Sequence, residues 1–204
     1  MNFFNLTHKT TLPPPIILWK FCILRKLSGG KINTNSMIRT KRLIIKPLTG
    51  DELKKHIASP EELANGMGLI PSQTLADENT KEAIINDLLP NLEDSNKDPL
   101  FYTMWMIIEK NKRAIVGGIC FHGEPDKNGE IEIGYGTDYE YRNKGIMTEA
   151  IAGLIQWLKN DNRVKKIRAE TEADNISSVR VLEKNHFNVF QSKDDSVILK
   201  LELK

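Results

Sequence analysis

From residue 38 to 46 the chain reads IRTKRLIIK, alternating apolar and polar residues before turning apolar, and Pro47 closes it; this predicts a strand. Thr49 or Asp51 can cap a short helix that begins DELKKHI. Between Ser59 and Pro71, Pro60, Gly66 and Gly68 predict a loop with one helical turn. The stretch ENTKEAIINDLLPNL places Ala83, Ile84 and Leu88 at helical spacing, with Asp77 or Asn79 as cap, and Pro90 is expected to end it. FYTMWMIIE and AIVGGICFHG, separated by the charged turn KNKR, predict an antiparallel hairpin. EIEIGYGT adds a third strand to this meander. On it Ile131, Ile133 and Tyr135 share one face, and Glu132 and Gly134 the other.

A helix over 146–159 carries Met147, Ala150, Ile151, Leu154, Ile155 and Leu158 on one stripe. KKIRAET then predicts a strand, NISSVRVLEKN a helix, and FNVFQ and SVILKLEL a closing pair of strands. The helix between the third meander strand and KKIRAET is a crossover, which implies one parallel pair in a mostly antiparallel sheet. The expected class is α/β with a mixed sheet.

Composition narrows the picture. The chain has 204 residues, 40% of them hydrophobic and 27% charged, enough for one sizeable core. With 29 basic against 27 acidic residues the net charge is +2, so no nucleic-acid partner is expected and any anion site must be local. Cys22 and Cys120 lie far apart and match no metal spacing, which suits a reducing cytoplasm and no bound metal. Residues 1–36 differ from the rest. Their apolar run PPPIILWKFCILRK is too short to span a bilayer and is interrupted by Lys20 and Arg25, and it lacks the features of a signal peptide. They are expected to be a poorly ordered or loosely docked extension, or the product of a misplaced start. Residues 37–204 are then expected to form one domain, with no membrane partner.

The chemistry concentrates at YRNKGIMTEA. Arg142, Asn143, Lys144 and Gly145 run directly into the apolar helix. A helix N-terminus already offers orphan amides and positive potential, so added cations there suit an anion such as a diphosphate. The loop lacks the Gly-Lys-Ser/Thr ending of a Walker A element and the three spaced glycines of a dinucleotide fingerprint. Taken alone, it reads more readily as a solvated basic turn.

In context, EIGYGTDYEYRNKGIMTEA resembles the acyl-CoA-binding motif of the GNAT N-acetyltransferase superfamily, a strand followed by Arg/Gln-x-x-Gly-x-Gly/Ala and a helix. DNISSVRVLEKNHFNVF resembles the segment that follows it in that superfamily. The TEA after the loop, the Asn-x-x-Ser…Glu-Lys-x-x-Phe pattern and the opening TKRLIIKPLT resemble the Rim-type branch, which acetylates ribosomal-protein N-termini. The resemblance implies a GNAT fold whose splayed parallel strands hold acetyl-CoA, with no metal. It implies that Gly136, Thr137 and Asp138 bond the pantetheine amides, and that Arg142, Asn143, Lys144, Gly145, Ile146 and Met147 hold the pyrophosphate. Asn175 and Ser178 would meet the pantetheine or thioester end.

Glu132 stands where several members keep a base glutamate, and equally reads as a solvated strand carboxylate. The tyrosine that many members use as acid is replaced by Leu182, which leaves Ser178 as substitute and Tyr135 or Tyr141 as further possibilities. Met147 and His186 stand where the family keeps small residues. Cys120, His122 and His56 carry no expected role, and Phe101, Tyr102, Trp105 and Met106 are expected in the core, with a share lining the acceptor pocket. The implied partners are acetyl-CoA and an amine, either a peptide or protein N-terminus or a small amine such as a polyamine or aminoglycoside. A non-catalytic CoA-binding module on the same fold is the other alternative. The assembly is expected to be a monomer or homodimer.

Overall fold

The computed structural model describes Ile32, residues 36–72 and residues 78–203. Most of the expected extension, and the helix cap at Asp77, lie outside the described residues. Ile32 packs against the second of two hydrophobic cores.

The opening strand is broken in two, β1 (Ile38–Arg39) and β2 (Leu43–Pro47), which pair antiparallel across a tight turn. Thr40 makes this turn: its amide donates to the Leu43 carbonyl and its hydroxyl accepts from the Leu43 amide. Thr49 then caps α1 (Gly50–Ala58) through a full capping box with Glu52. Where a loop was expected, Ser59 caps α2 (Pro60–Gly66), with Pro60 in the first turn. Pro90 does not end the next helix. That helix begins as α3 (Glu78–Ala83), widens into a π-helical segment (Ile84–Leu88) and continues as α4 (Leu89–Leu92). The widened turn restarts the helix at Leu89, so Pro90 falls in a first turn, where its missing N–H costs little.

The meander follows as β3 (Trp105–Glu109), β4 (Ala114–Phe121) and β5 (Glu130–Thr137). After it come α5 (Ile146–Leu158), β6 (Lys166–Glu172), α6 (Ile176–Lys184), β7 (Asn188–Ser192) and β8 (Ser196–Glu202). All eight strands form one sheet in the order β1-β2-β3-β4-β5-β6-β8-β7, and only β5 and β6 run parallel. This is the expected mixed α/β architecture.

The two faces of the sheet carry separate cores. Helices α5 and α6 cover one face, where Met147, Ile151, Leu154 and Leu182 pack on Ile131, Ile133 and Tyr135. The α1–α4 segment covers the other, where Leu53, Leu63, Ile84 and Leu88 meet Met106, Ile108 and Cys120. Each fully buried aliphatic side chain of this kind contributes about 1.5–3 kcal/mol of transfer free energy. Phe101, Trp105, Phe121 and Trp157 form an aromatic cluster, with the two tryptophan rings 4.9 Å apart. Cys120 is fully buried, and Met147 turns inward at 5% exposure, so its bulk is absorbed by the core.

His186 closes α6 in the left-handed region at φ 67°, and the Phe187 amide returns to the Leu182 carbonyl. This conformation costs a residue with a Cβ about 1–2 kcal/mol, whereas glycine gives back roughly half of that as lost chain entropy. His186→Gly is therefore expected to raise Tm by roughly 1–3 °C in thermal unfolding. A lower Tm would show that the imidazole makes a contact worth more than the strain.

Candidate active site

The centre of the molecule is a gap in the sheet. Strands β5 and β6 pair only from Glu130–Lys166 to Glu132–Arg168 and then part. Beyond that point β4 still holds β5 as far as Thr137, and β8 holds β6 as far as Glu172. The His122 amide donates to the Glu132 carbonyl, and the Asp138 amide to that of Val116. Even-numbered residues of β5 thus turn their backbone groups toward β4, and the period-two ladder leaves those of Ile133, Tyr135 and Thr137 facing the gap. Of the trio Gly136, Thr137 and Asp138, Thr137 is on the gap side, where its carbonyl accepts from Arg142 Nε at 3.2 Å. The Asp138 side chain accepts from the Ser72 hydroxyl at 2.7 Å. Gly117 allows β4 to lie close, since a Cβ there would stand 2.4 Å from the Gly136 carbonyl oxygen.

The gap opens into a cleft of about 930 Å³ between the ends of β5 and β6 and the starts of α5 and α6. Its lower end is the loop 142–147. Gly145 sits at φ 69° and Asn143 at φ 58°, which turns the chain sharply into α5. The first intrahelical bond runs from the Glu149 amide to the Gly145 carbonyl, so the amides of Ile146, Met147 and Thr148 have no intrahelical acceptor. The loop's carbonyls are drawn the other way. Arg42 donates to the carbonyls of Lys144 at 3.0 Å and Gly145 at 3.1 Å. Arg42 is itself held by Glu149, through its Nε at 2.6 Å and its amide at 2.7 Å, while the Thr40 hydroxyl adds a bond at 2.6 Å. Burial opposes ionisation of Glu149, but these donors outweigh it and hold the carboxyl below its ordinary range. Thr40, Arg42 and Glu149 were not singled out in the sequence. The available signal was Glu149, a first-turn acid outside the apolar stripe.

On the helix side of the cleft, the Tyr135 and Ser178 hydroxyls lie 2.8 Å apart. The Asn175 side chain caps α6 by accepting from the Ser178 amide at 3.2 Å. Burial pushes the Tyr135 phenol well above its usual range, so it stays neutral and acts as a hydrogen-bond donor. Leu182 is fully buried in the core. Tyr141 also lines the cleft, at the side of the loop, beneath the Lys112 and Lys144 ammonium groups at 5.0 and 5.5 Å.

The opposite face at the closed end of the gap carries a row of charge. Glu132 on β5 is paired with Arg168 on β6, which also reaches Glu170. The other Glu132 oxygen lies 3.5 Å from His122 Nε2. Asp87, in the π-helical segment, is half-buried with its pKa raised by desolvation, an effect partly offset by Asn91, His122 and Lys97. The structure thus joins Glu132 to His122, which carried no expected role, and buries His56 on the inner face of α1 at 2% exposure. Among the described residues no cluster of three His, Cys, Asp or Glu is placed to hold a metal ion, and no helix is long and apolar enough to cross a membrane.

Residues 42–188 match the family model described as "Acetyltransferase (GNAT) domain". The chain belongs to the GNAT acetyltransferase family. It is 43% identical over 86 residues to the uncharacterized N-acetyltransferase YjdG of Bacillus subtilis, a match spanning 42% of this chain and 51% of that relative's length. The ribosomal-protein-S5-alanine acetyltransferase of Vibrio fischeri superposes with a TM-score of 0.59 at 18% identity, covering 83% of this chain and 98% of that one. A ribosomal L7/L12 alpha-N-protein acetyltransferase in complex with coenzyme A gives a TM-score of 0.57 at 14% identity, covering 82% and 98%. At such identities these two structures show a shared GNAT fold.

Glu149→Gln is expected to release Arg42 and slacken the loop, costing about 1–3 kcal/mol of stability at neutral pH. Because the Glu149 pKa is depressed on folding, its contribution is present above the ordinary carboxylate range and is lost as pH falls through the depressed value. The Tm gap between wild type and variant should therefore narrow on acidification; a gap that is constant with pH would refute the ionic role.

Proposed function

We propose that the chain is an acetyl-CoA-dependent N-acetyltransferase whose acceptor is the N-terminal amine of a peptide or protein. The observation that carries this reading is the cleft itself, a gap that opens between β5 and β6 beyond the Glu132–Arg168 pair and ends on an amide-lined, cationic loop. Its residues fit acetyl-CoA at both ends. The amides of Ile146, Met147 and Thr148, with Asn143 and the charges of Arg142 and Lys144, suit a diphosphate. The gap-facing edge of Tyr135 and Thr137 suits an extended, amide-bearing pantetheine that docks as an extra strand.

When bound, acetyl-CoA supplies an acyl group activated as a thioester. The chain's contribution is chiefly to hold that thioester and the amine together. Ser178, positioned by Asn175 and bonded to Tyr135, offers a hydroxyl on the helix side of the gap. Glu132 and His122 stand on the opposite face, where an amine can approach through the closed end and lose its proton. The carboxylates of Asp87, Glu132 and Glu170 give that face an affinity for a cation such as an ammonium. The two fold neighbours, described as acetyltransferases of ribosomal proteins, support a protein N-terminus as acceptor.

Acetyl-CoA at a hundred times its Kd is expected to stabilise the fold by about 2.7 kcal/mol in thermal shift, and ATP by much less. Release of free thiol should then be fastest with peptides, and should vary with their N-terminal residue, when these are compared with polyamines and aminoglycosides. Preference for a small amine would overturn the acceptor. Tight CoA binding without turnover on any amine would overturn the enzymatic reading.

A further inference from the structure

Resting on that reading, we infer that His122 is the catalytic base, and that Glu132 is the positioning residue that orients its ring. The two carboxylate oxygens of Glu132 are engaged differently. One is paired with Arg168, which also binds Glu170 and so fixes the carboxylate at the last paired rung of β5 and β6. The other faces His122 Nε2 at 3.5 Å. A carboxylate held this tightly by a guanidinium is a poor proton acceptor, because protonation would break the ion pair. Facing Nε2, it can orient the ring so that Nδ1 is left as the acceptor atom. The ring of His122 makes no hydrogen bond to another described side chain, and its side chain is 18% exposed.

Position agrees with chemistry. His122 continues β4 beyond its last paired residue, and its amide bonds the Glu132 carbonyl, so both side chains share the face opposite α5 and α6. They sit at the apex, where the gap begins and the thioester end of a strand-like ligand would stop. The charged groups around the ring are Glu132 from β5, Arg168 and Glu170 from β6, and Asp87 from the π-helical segment, with Lys97 beside Asp87. Two nearby carboxylates, Glu132 and Asp87, would stabilise the imidazolium once formed. Imidazole is also the side chain whose ordinary titration lies nearest neutral pH.

The step balances without a further reactant. The substrate ammonium gives one proton to His122 Nδ1, and the ring later releases it to solvent. The neutral amine attacks the thioester carbon, the C–N bond forms, and the C–S bond breaks with its electron pair leaving on sulfur. The second amine proton is lost as the amide forms, and sulfur takes up a proton to give the free thiol.

The test is the pH dependence of kcat with one peptide acceptor, so that the amine's own ionisation is common to all variants. Wild-type turnover comes first, since its absence would sink the proposed function rather than this assignment. His122→Gln is expected to lower kcat by roughly 10²-fold and to remove the enzyme's acid limb, with the Kd for CoA unchanged as evidence of an intact fold. Glu132→Gln is expected to slow turnover but retain an acid limb, because the imidazole is still present. Added imidazole should restore part of the rate of His122→Ala. If His122→Gln keeps the limb and Glu132→Gln abolishes it, Glu132 is the base and the inference is wrong.

Discussion

Strands β5 and β6 run parallel and share a register for only a few residues before they part, and that parting leaves two lengths of sheet edge inside the molecule without partners. A buried peptide group with no partner costs about 1–3 kcal/mol, so a sheet does not open in its middle without something holding it open. Here the outer neighbours do so. β4 grips β5 to its end, with Gly117 allowing close approach, and β8 grips the whole of β6. Each strand is fixed from its far side, and the unpaired groups between them are exposed to whatever enters the cleft.

The same opening organises both faces. On the helix side, α5 and α6 diverge with their strands, so the amides at the start of α5 and the Asn175 cap of α6 stand at the cleft's two walls. Arg42 and Glu149 decide which way the loop's polar groups point. By drawing the carbonyls of Lys144 and Gly145 outward, they remove the negative ends of those peptide dipoles from the site. The Gly145 carbonyl is also the first acceptor of α5, so of the two it is the Lys144 carbonyl whose direction rests on Arg42.

Much of this was legible in the chain. Periodicity located both cleft helices, whose apolar stripes face a single core, while the first two meander strands were legible as continuous apolar runs because they are buried on both faces. The loop 142–147 was legible because glycine and clustered cations at a helix start have few other uses. Local rules failed where a neighbouring turn changed their meaning. Pro90 reads as a stop, but the π-helical widening before it supplies a new first turn. The Ser59-Pro60 pair starts a helix of seven residues where the pattern predicts a loop with one helical turn. The Arg42–Glu149 contact joins residues 107 apart, and the His122–Glu132 pairing depends on how β4 and β5 align; no spacing along the chain shows either.

That alignment explains why charge can be tolerated at the apex. Glu132, Arg168 and Glu170 are each about four-fifths buried, a setting in which a lone carboxylate would tend to protonate. One guanidinium between two carboxylates, with an imidazole on the far side of one of them, keeps the row near neutrality while leaving a proton-accepting atom at its end. Removing Arg168 would therefore do more than lose an ion pair. Two largely buried carboxylates would face each other, protonation of one would relieve the repulsion, and Glu132 would lose the partner that fixes it beside the His122 ring. The charged row is therefore held together by Arg168, and the orientation of Glu132 toward His122 depends on it.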